Sequence, residues 1–258
     1  MDEVDIGHTV VLWLWALGLA GIEIEIEGGY GWAERLPTWY LRRGLTGRIY
    51  GAVMGRRPLT GYHVFAFTIP LLIVHLPFVS GVDWTLSGEL AALAIYFALA
   101  VVWDYLWFVL NPAYTVRRFE RGSVWWFSVP WIWRFPLDYY TGIALSIVLA
   151  GLAAVAAGES EPLVHHLWML AGLAVLTAIA VAAAPLYHRW YRHMRRAGAD
   201  DRDRTETYPP PAAEAAWEGG EPNLRPLDPA TAPAPDPAVH GASAEVSRRP
   251  SPGGDRPR

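Results

Sequence analysis

Residues 90–110 read LAALAIYFALAVVWDYLWFVL. A surface helix of a soluble protein carries a polar face that returns every three to four residues. This run carries one ionisable residue, Asp104, and no polar face. Its length matches the ~20 apolar residues needed to cross the hydrocarbon core of a bilayer. The stretch predicts a membrane helix, and the rest of the chain is best read with a bilayer as solvent.

Four further segments fit that solvent. They span about residues 6–26, 62–79, 139–157 and 163–186. The first is interrupted near its end by Glu23 and Glu25. The second is short and contains Pro70 and Pro77. The fourth and fifth spans are rich in Ala, Leu and Gly. The start, MDEVDIGH, lacks the positive n-region of a signal peptide, so the first segment is expected to remain as a helix. The expected fold is all-α: a polytopic membrane protein with a bundle of five transmembrane helices, residues 1–196.

Arginine placement tests that count independently. The connection 27–61 holds Arg35, Arg42, Arg43, Arg48, Arg56 and Arg57, and 80–89 holds none. The connection 111–138 holds Arg117, Arg118, Arg121 and Arg134, and 158–162 holds none. Arg189, Arg192, Arg195 and Arg196 follow the last span. Cytoplasmic flanks collect Arg and Lys. The alternation therefore predicts an external N-terminus, a cytoplasmic C-terminus and a multi-pass protein of the cell membrane.

Composition excludes other classes. Of 258 residues, 53% are hydrophobic and 18% charged, against about 45–50% and about 25% in soluble domains. The balance of 21 basic against 25 acidic residues leaves no basic excess for nucleic acid. The chain has no Lys and no Cys. Schiff-base and P-loop lysine chemistry, disulfides, thiolate metal sites and iron–sulfur clusters are excluded. Residues 197–258 hold 12 of the 21 prolines and almost no large apolar side chains. Such a segment cannot bury enough surface to offset its ordering entropy, so a disordered cytoplasmic tail is expected.

Two connections are unusually aromatic. The segment 28–61 suits a helix lying at the headgroups. The segment 112–138 contains WWFSVPWIWRFP, and Trp125, Trp126, Trp131 and Trp133 predict an interfacial belt or a loop dipping into the bundle.

Ionisable residues inside membrane segments are costly, about 2.5–3.5 kcal/mol at the centre, and so mark candidate sites. Only 17 residues separate Asp5 from Glu23, so a full span carries Glu23 to the hydrocarbon edge. On a helix, Glu23 and Glu27 share one face and Glu25 lies opposite; an extended GIEIEIEGG would place all three together. The bland alternative is headgroup-level charges partnered by Arg35 or Arg42. Asp104 lies about 9 Å inside the end of its helix, on the face of Asn111. Its bland reading is an interhelical hydrogen bond or a snorkelling arginine. His63 opens the second span at the same depth, where a polar cap is the simpler role. Asp138 reads as an N-cap, and Asn111–Pro112 as a helix terminator. Together Glu23, Glu27, His63 and Asp104 suit a divalent metal, although no spacing is diagnostic. His75, Glu89, His165 and His166 fall nearer the outside, where solvated or structural roles are simpler than a shared site.

Three functions compete. The first is a membrane-embedded enzyme acting on a lipid or isoprenoid-like amphiphile, with Asp104 and Glu23 as its catalytic groups. The second is a non-catalytic membrane subunit or scaffold. The third is a small transporter or proton-linked channel, for which no polar stripe lines a path through the bundle.

Overall fold

The computed structural model describes residues 3–124, 126, 127 and 129–198. The expected tail, from residue 199 onward, and Trp125 lie outside the described residues. The chain is mostly helical: α1 (Glu3–Glu27), α2 (Gly44–Val53), α3 (Gly61–Val74), α4 (Leu76–Val79), α5 (Leu86–Leu110), α6 (Thr115–Arg118), α7 (Leu137–Ala157) and α8 (Glu161–Gly198). Among the described residues, four stretches are long and apolar enough to cross a membrane: Ile6–Glu27, Leu86–Leu110, Leu137–Ala157 and Glu161–Arg195.

The expected second span differs from these. Helix α3 has 14 residues and is separated from the short α4 at His75. Pro70 and Pro77 remove backbone donors on either side of this break. At the standard rise α3 covers only about 21 Å, yet the two helices return the chain from one end of the bundle to the other. Asn111 Nδ2 donates to the Gly28 carbonyl at 2.8 Å, so α1 and α5 finish side by side and run parallel. At the opposite end, His75 Nε2 meets Glu89 Oε1 at 3.0 Å, joining the finish of α3 to the start of α5. Helix α7 runs antiparallel to α5, since Ser87 Oγ donates to the Ala153 carbonyl at 2.9 Å. Helix α8 is parallel to α5, with His188 Nε2 2.9 Å from the Val109 carbonyl.

Small residues set the helix crossings, as expected where lipid supplies no hydrophobic drive between helices. A Cβ added at Gly142 of α7 would lie 2.6 Å from Val101 of α5, and one at Gly172 of α8 would lie 2.8 Å from Thr9 of α1. Ala16, Ala20, Ala94, Ala98, Ala150 and Ala153 are buried as well. Helix α8 also outruns its expected span, continuing beyond residue 186 to Gly198. The residues after 186 are too polar for lipid but still form helix readily.

The two long connections fold over the end of the bundle at which α1 and α5 finish. In the first, β1 (Tyr40–Leu41) pairs antiparallel with β2 (Leu59–Thr60), and α2 lies between them. Leu45 and Ile49 of α2 are exposed, which suits the expected headgroup-level helix. In the second, β3 (Trp131–Ile132) pairs with β4 (Phe135–Pro136). Its aromatics divide by role. Trp126 and Phe127 are buried against Phe108 of α5, whereas Trp133 is 85% exposed. This connection is therefore a plug with an outward aromatic edge.

Candidate metal centre beneath the aromatic plug

Helix α1 continues unbroken through Glu27, which excludes the extended alternative for GIEIEIE. Glu23 and Glu27 are one turn apart and turn inward, whereas Glu25 is exposed. The chain then enters a left-handed turn. Gly31, Trp32 and Ala33 all have positive φ, at 65°, 45° and 51°. Two consecutive non-glycine residues in this region store about 1–3 kcal/mol each. The turn aims a backbone amide at a carboxylate: Ala33 N–H donates to Glu27 Oε1. Tyr40 of β1 holds the turn by donating to the Ala33 carbonyl.

His63 arrives from the return helix. Thr60 is the N-cap of α3 and its hydroxyl accepts from the His63 N–H at 3.1 Å. The same oxygen lies 2.7 Å from His63 Nδ1, leaving Nε2 as the nitrogen available to a ligand. Trp32 stacks on the imidazole with centroids 4.1 Å apart, and Phe67 stacks at 5.7 Å. One ligand atom from each of Glu23, Glu27 and His63 falls within 4.8 Å of the others. An outer-shell hydrogen bond and fixed ring planes are what a metal-ligating histidine requires.

Asp104 lines the same cavity as Glu23, Glu27 and His63. Its partner is Tyr139 of α7, whose hydroxyl donates to Asp104 Oδ2. The cavity measures about 30 Å³, room for a cation and a water. Its walls include Trp103, Trp107 and Trp126. The indole N–H of Trp107 is buried without a hydrogen-bond acceptor.

Arg57 fastens the roof. Its guanidinium is buried, meets Asp138 Oδ2 at 2.6 Å and donates from Nε to the Trp126 carbonyl at 2.9 Å. It also covers the rings of Trp32 and Phe127, at 4.7 and 4.6 Å. Asp138 is thus the partner of a buried arginine in the first turn of α7. It is not the expected N-cap, a position that Pro136 occupies. Asn111 ends α5 as expected and also binds across to α1, while its Oδ1 accepts from Ala113 N–H at 2.9 Å. Arg35 lies over the Tyr30 ring, outside the carboxylate cluster. At the edge of the roof, burial first, and then the charges of Glu34 and Glu27, hold the Tyr114 phenol above its ordinary range, so it stays protonated.

The outer histidines do not form one site. His75 pairs with Glu89, His165 stacks on His8, and His166 is buried 3.3 Å from Ser146 Oγ. Sequence reasoning missed Thr60, Tyr139, Arg57 and the turn amides. Of these only Thr60, a hydroxyl residue directly before the GYH start of a helix, carried a readable signal, that of an N-cap.

The chemistry of the cluster follows from its charge. Three carboxyl groups and one imidazole surround a small space between apolar helices, and the adjacent Arg57 is committed to Asp138. An uncompensated charge in such surroundings is costly, and a cation or bound protons would offset it. A bound divalent cation would act as a Lewis acid or would activate a water. Comparison with known proteins finds no match to a family model, a curated protein or a solved structure.

Proposed function

We propose that this chain is a multi-pass protein of the cell membrane whose Glu23, Glu27, His63 and Asp104 hold a divalent cation, and that it is an enzyme acting on a membrane amphiphile. The observation that carries the metal reading is the meeting of three ligand atoms within 4.8 Å, supported by the Thr60 hydrogen bond that orients His63. In this reading α3 and α4 form a fifth crossing, the N-terminus is external and the arginine-rich roof is cytoplasmic. Asp104 and Glu23 are the acid–base groups, and the cation polarises the substrate or activates a water.

The test is metal analysis of the full-length protein purified in nanodiscs. Wild-type protein should carry a stoichiometric divalent metal, and Glu23→Gln, Glu27→Gln and His63→Gln should each lose it while remaining folded. Equal metal content in all four proteins overturns the reading. A scaffold with a structural cation is the second reading, favoured by the small cavity and its fastened roof. Mass spectrometry of co-purified lipid separates the two, because only the enzyme retains an amphiphile that Asp104→Asn alters in amount or chemical form.

A further inference from the structure

Helix α8 carries one exposed apolar stripe along most of its length. Trp168, Val175, Ile179, Leu186, Trp190 and Met194 are all exposed, and spacings of seven and four residues keep them on one helix face. The opposite side packs on the bundle. Ala184, His188 and Tyr191 are buried, and the Tyr191 hydroxyl hydrogen-bonds Glu25 of α1. A third side is basic. Arg189 and Arg192 are exposed there, one turn apart, and residues 162–198 contain no Asp or Glu.

The level of these groups is set by a contact with α5. His188 Nε2 lies 2.9 Å from the Val109 carbonyl, one residue before the end of α5 at Leu110. At the standard rise, Arg189 and Arg192 stand about 1.5 and 6 Å further along the axis of α8. The headgroup layer on each face of a bilayer is about 5–8 Å thick. Both arginines therefore leave the helix within that layer when α5 spans the hydrocarbon. Trp190 stands at the same level, where its amphipathic ring is favoured.

We propose that residues 186–195 of α8 form a binding surface for an anionic phospholipid, its phosphate held by Arg189 and Arg192 and its acyl chains lying along Leu186 and Ile179 beneath Trp190. Two features select this partner. The basic side has no acid of its own helix to neutralise it, and a guanidinium fork matches phosphate oxygens in paired hydrogen bonds. The apolar stripe beside it runs without a break into the span, so the carrier of the anion must be apolar as well. A soluble phosphate or an acidic protein segment meets only the first condition. The proposal uses the membrane reading and is independent of the metal centre.

The experiment is native mass spectrometry of the full-length protein in detergent micelles, titrated with phosphatidylglycerol or with phosphatidylcholine of the same acyl chains. Phosphatidylglycerol should bind more tightly, and added salt should shrink the difference, because salt screens exposed charges. Arg189→Gln/Arg192→Gln should reduce the preference about fivefold for each arginine lost. Arg189→Lys/Arg192→Lys should retain most of it, because the charge stays. Trp190→Ala should weaken both lipids alike. Arg117→Gln/Arg121→Gln removes the same charge from two other exposed positions and should leave the preference nearly unchanged. Equal losses in the two glutamine pairs would reduce the effect to overall charge and overturn the proposal. So would a wild-type protein that does not prefer phosphatidylglycerol, or displacement of the lipid by excess glycerol phosphate, which would make the partner a soluble phosphate. A dimer that Leu186→Ala/Trp190→Ala dissociates would assign the stripe to a second copy of the chain and overturn it too. Circular dichroism of each variant confirms that the helices remain, and none of these readouts depends on metal content.

Discussion

Tyr139 of α7 donates a hydrogen bond to Asp104 of α5, and this contact fixes the only acid in the middle of a long apolar helix toward the bundle interior. The amide of Asn can still accept from Tyr139. Asp104→Asn should therefore remain folded and inserted, yet lose metal retention or activity. Tyr139→Phe removes the donor and should lower stability by about 1–3 kcal/mol. Thermal unfolding in nanodiscs beside metal analysis checks both. Unfolding of Asp104→Asn would make Asp104 a structural residue.

Thr60 contributes twice, as the cap of α3 and as the partner of His63 Nδ1. Outer-shell partners typically contribute about 10–100-fold to metal affinity, and an N-cap about 1 kcal/mol. Thr60→Val should lose both, and Thr60→Ser should restore both. Competition with a fluorescent chelator measures the affinity. Identical affinity in Thr60→Val and wild type would separate His63 from any bound cation.

The Arg57–Asp138 pair has side chains 6% and 30% exposed. Breaking a fully buried pair costs about 3–5 kcal/mol, and partial solvation of Asp138 reduces that here to about 2–3 kcal/mol. Arg57→Met should show this loss and faster proteolysis between Glu120 and Ser123. Asp138→Asn, which keeps an acceptor, should cost less than about 1.5 kcal/mol. Unchanged proteolysis in Arg57→Met would show that the roof is held by its aromatic contacts alone.

The absence of cysteine makes topology directly measurable. Val82→Cys and Ser160→Cys should react with an impermeant maleimide on intact cells, and Arg42→Cys and Arg121→Cys only after permeabilisation. Reaction of Arg42→Cys on intact cells, or protection of Val82→Cys, would mean that α3 and α4 do not cross the bilayer.

The long helices were legible in the sequence because a bilayer imposes a length and a composition on whatever crosses it, and 90–110 meets both without reference to any neighbour. That Glu23 and Glu27 would share a face was legible only on the helical alternative; that α1 stays helical through Glu27 and turns this face inward was decided by the structure. The ends of elements were less legible. Hydropathy placed the end of the last span near residue 186, but α8 runs to Gly198 because lipid solubility and helix formation are separate properties.

The chain by itself singled out Glu23, Glu27, His63 and Asp104 as polar residues expected at one level of the apolar segments. Only the tertiary structure decided which of them meet. His63 reaches the glutamates because α3 runs back along α1 and α5 from a cap set by Thr60, and Asp104 turns inward because α7 presents Tyr139. The left-handed turn that aims Ala33 at Glu27, and Arg57 beneath Trp126, depend on contacts between residues as many as 81 positions apart. Depth is a property of one helix and its solvent; convergence is a property of how several helices pack.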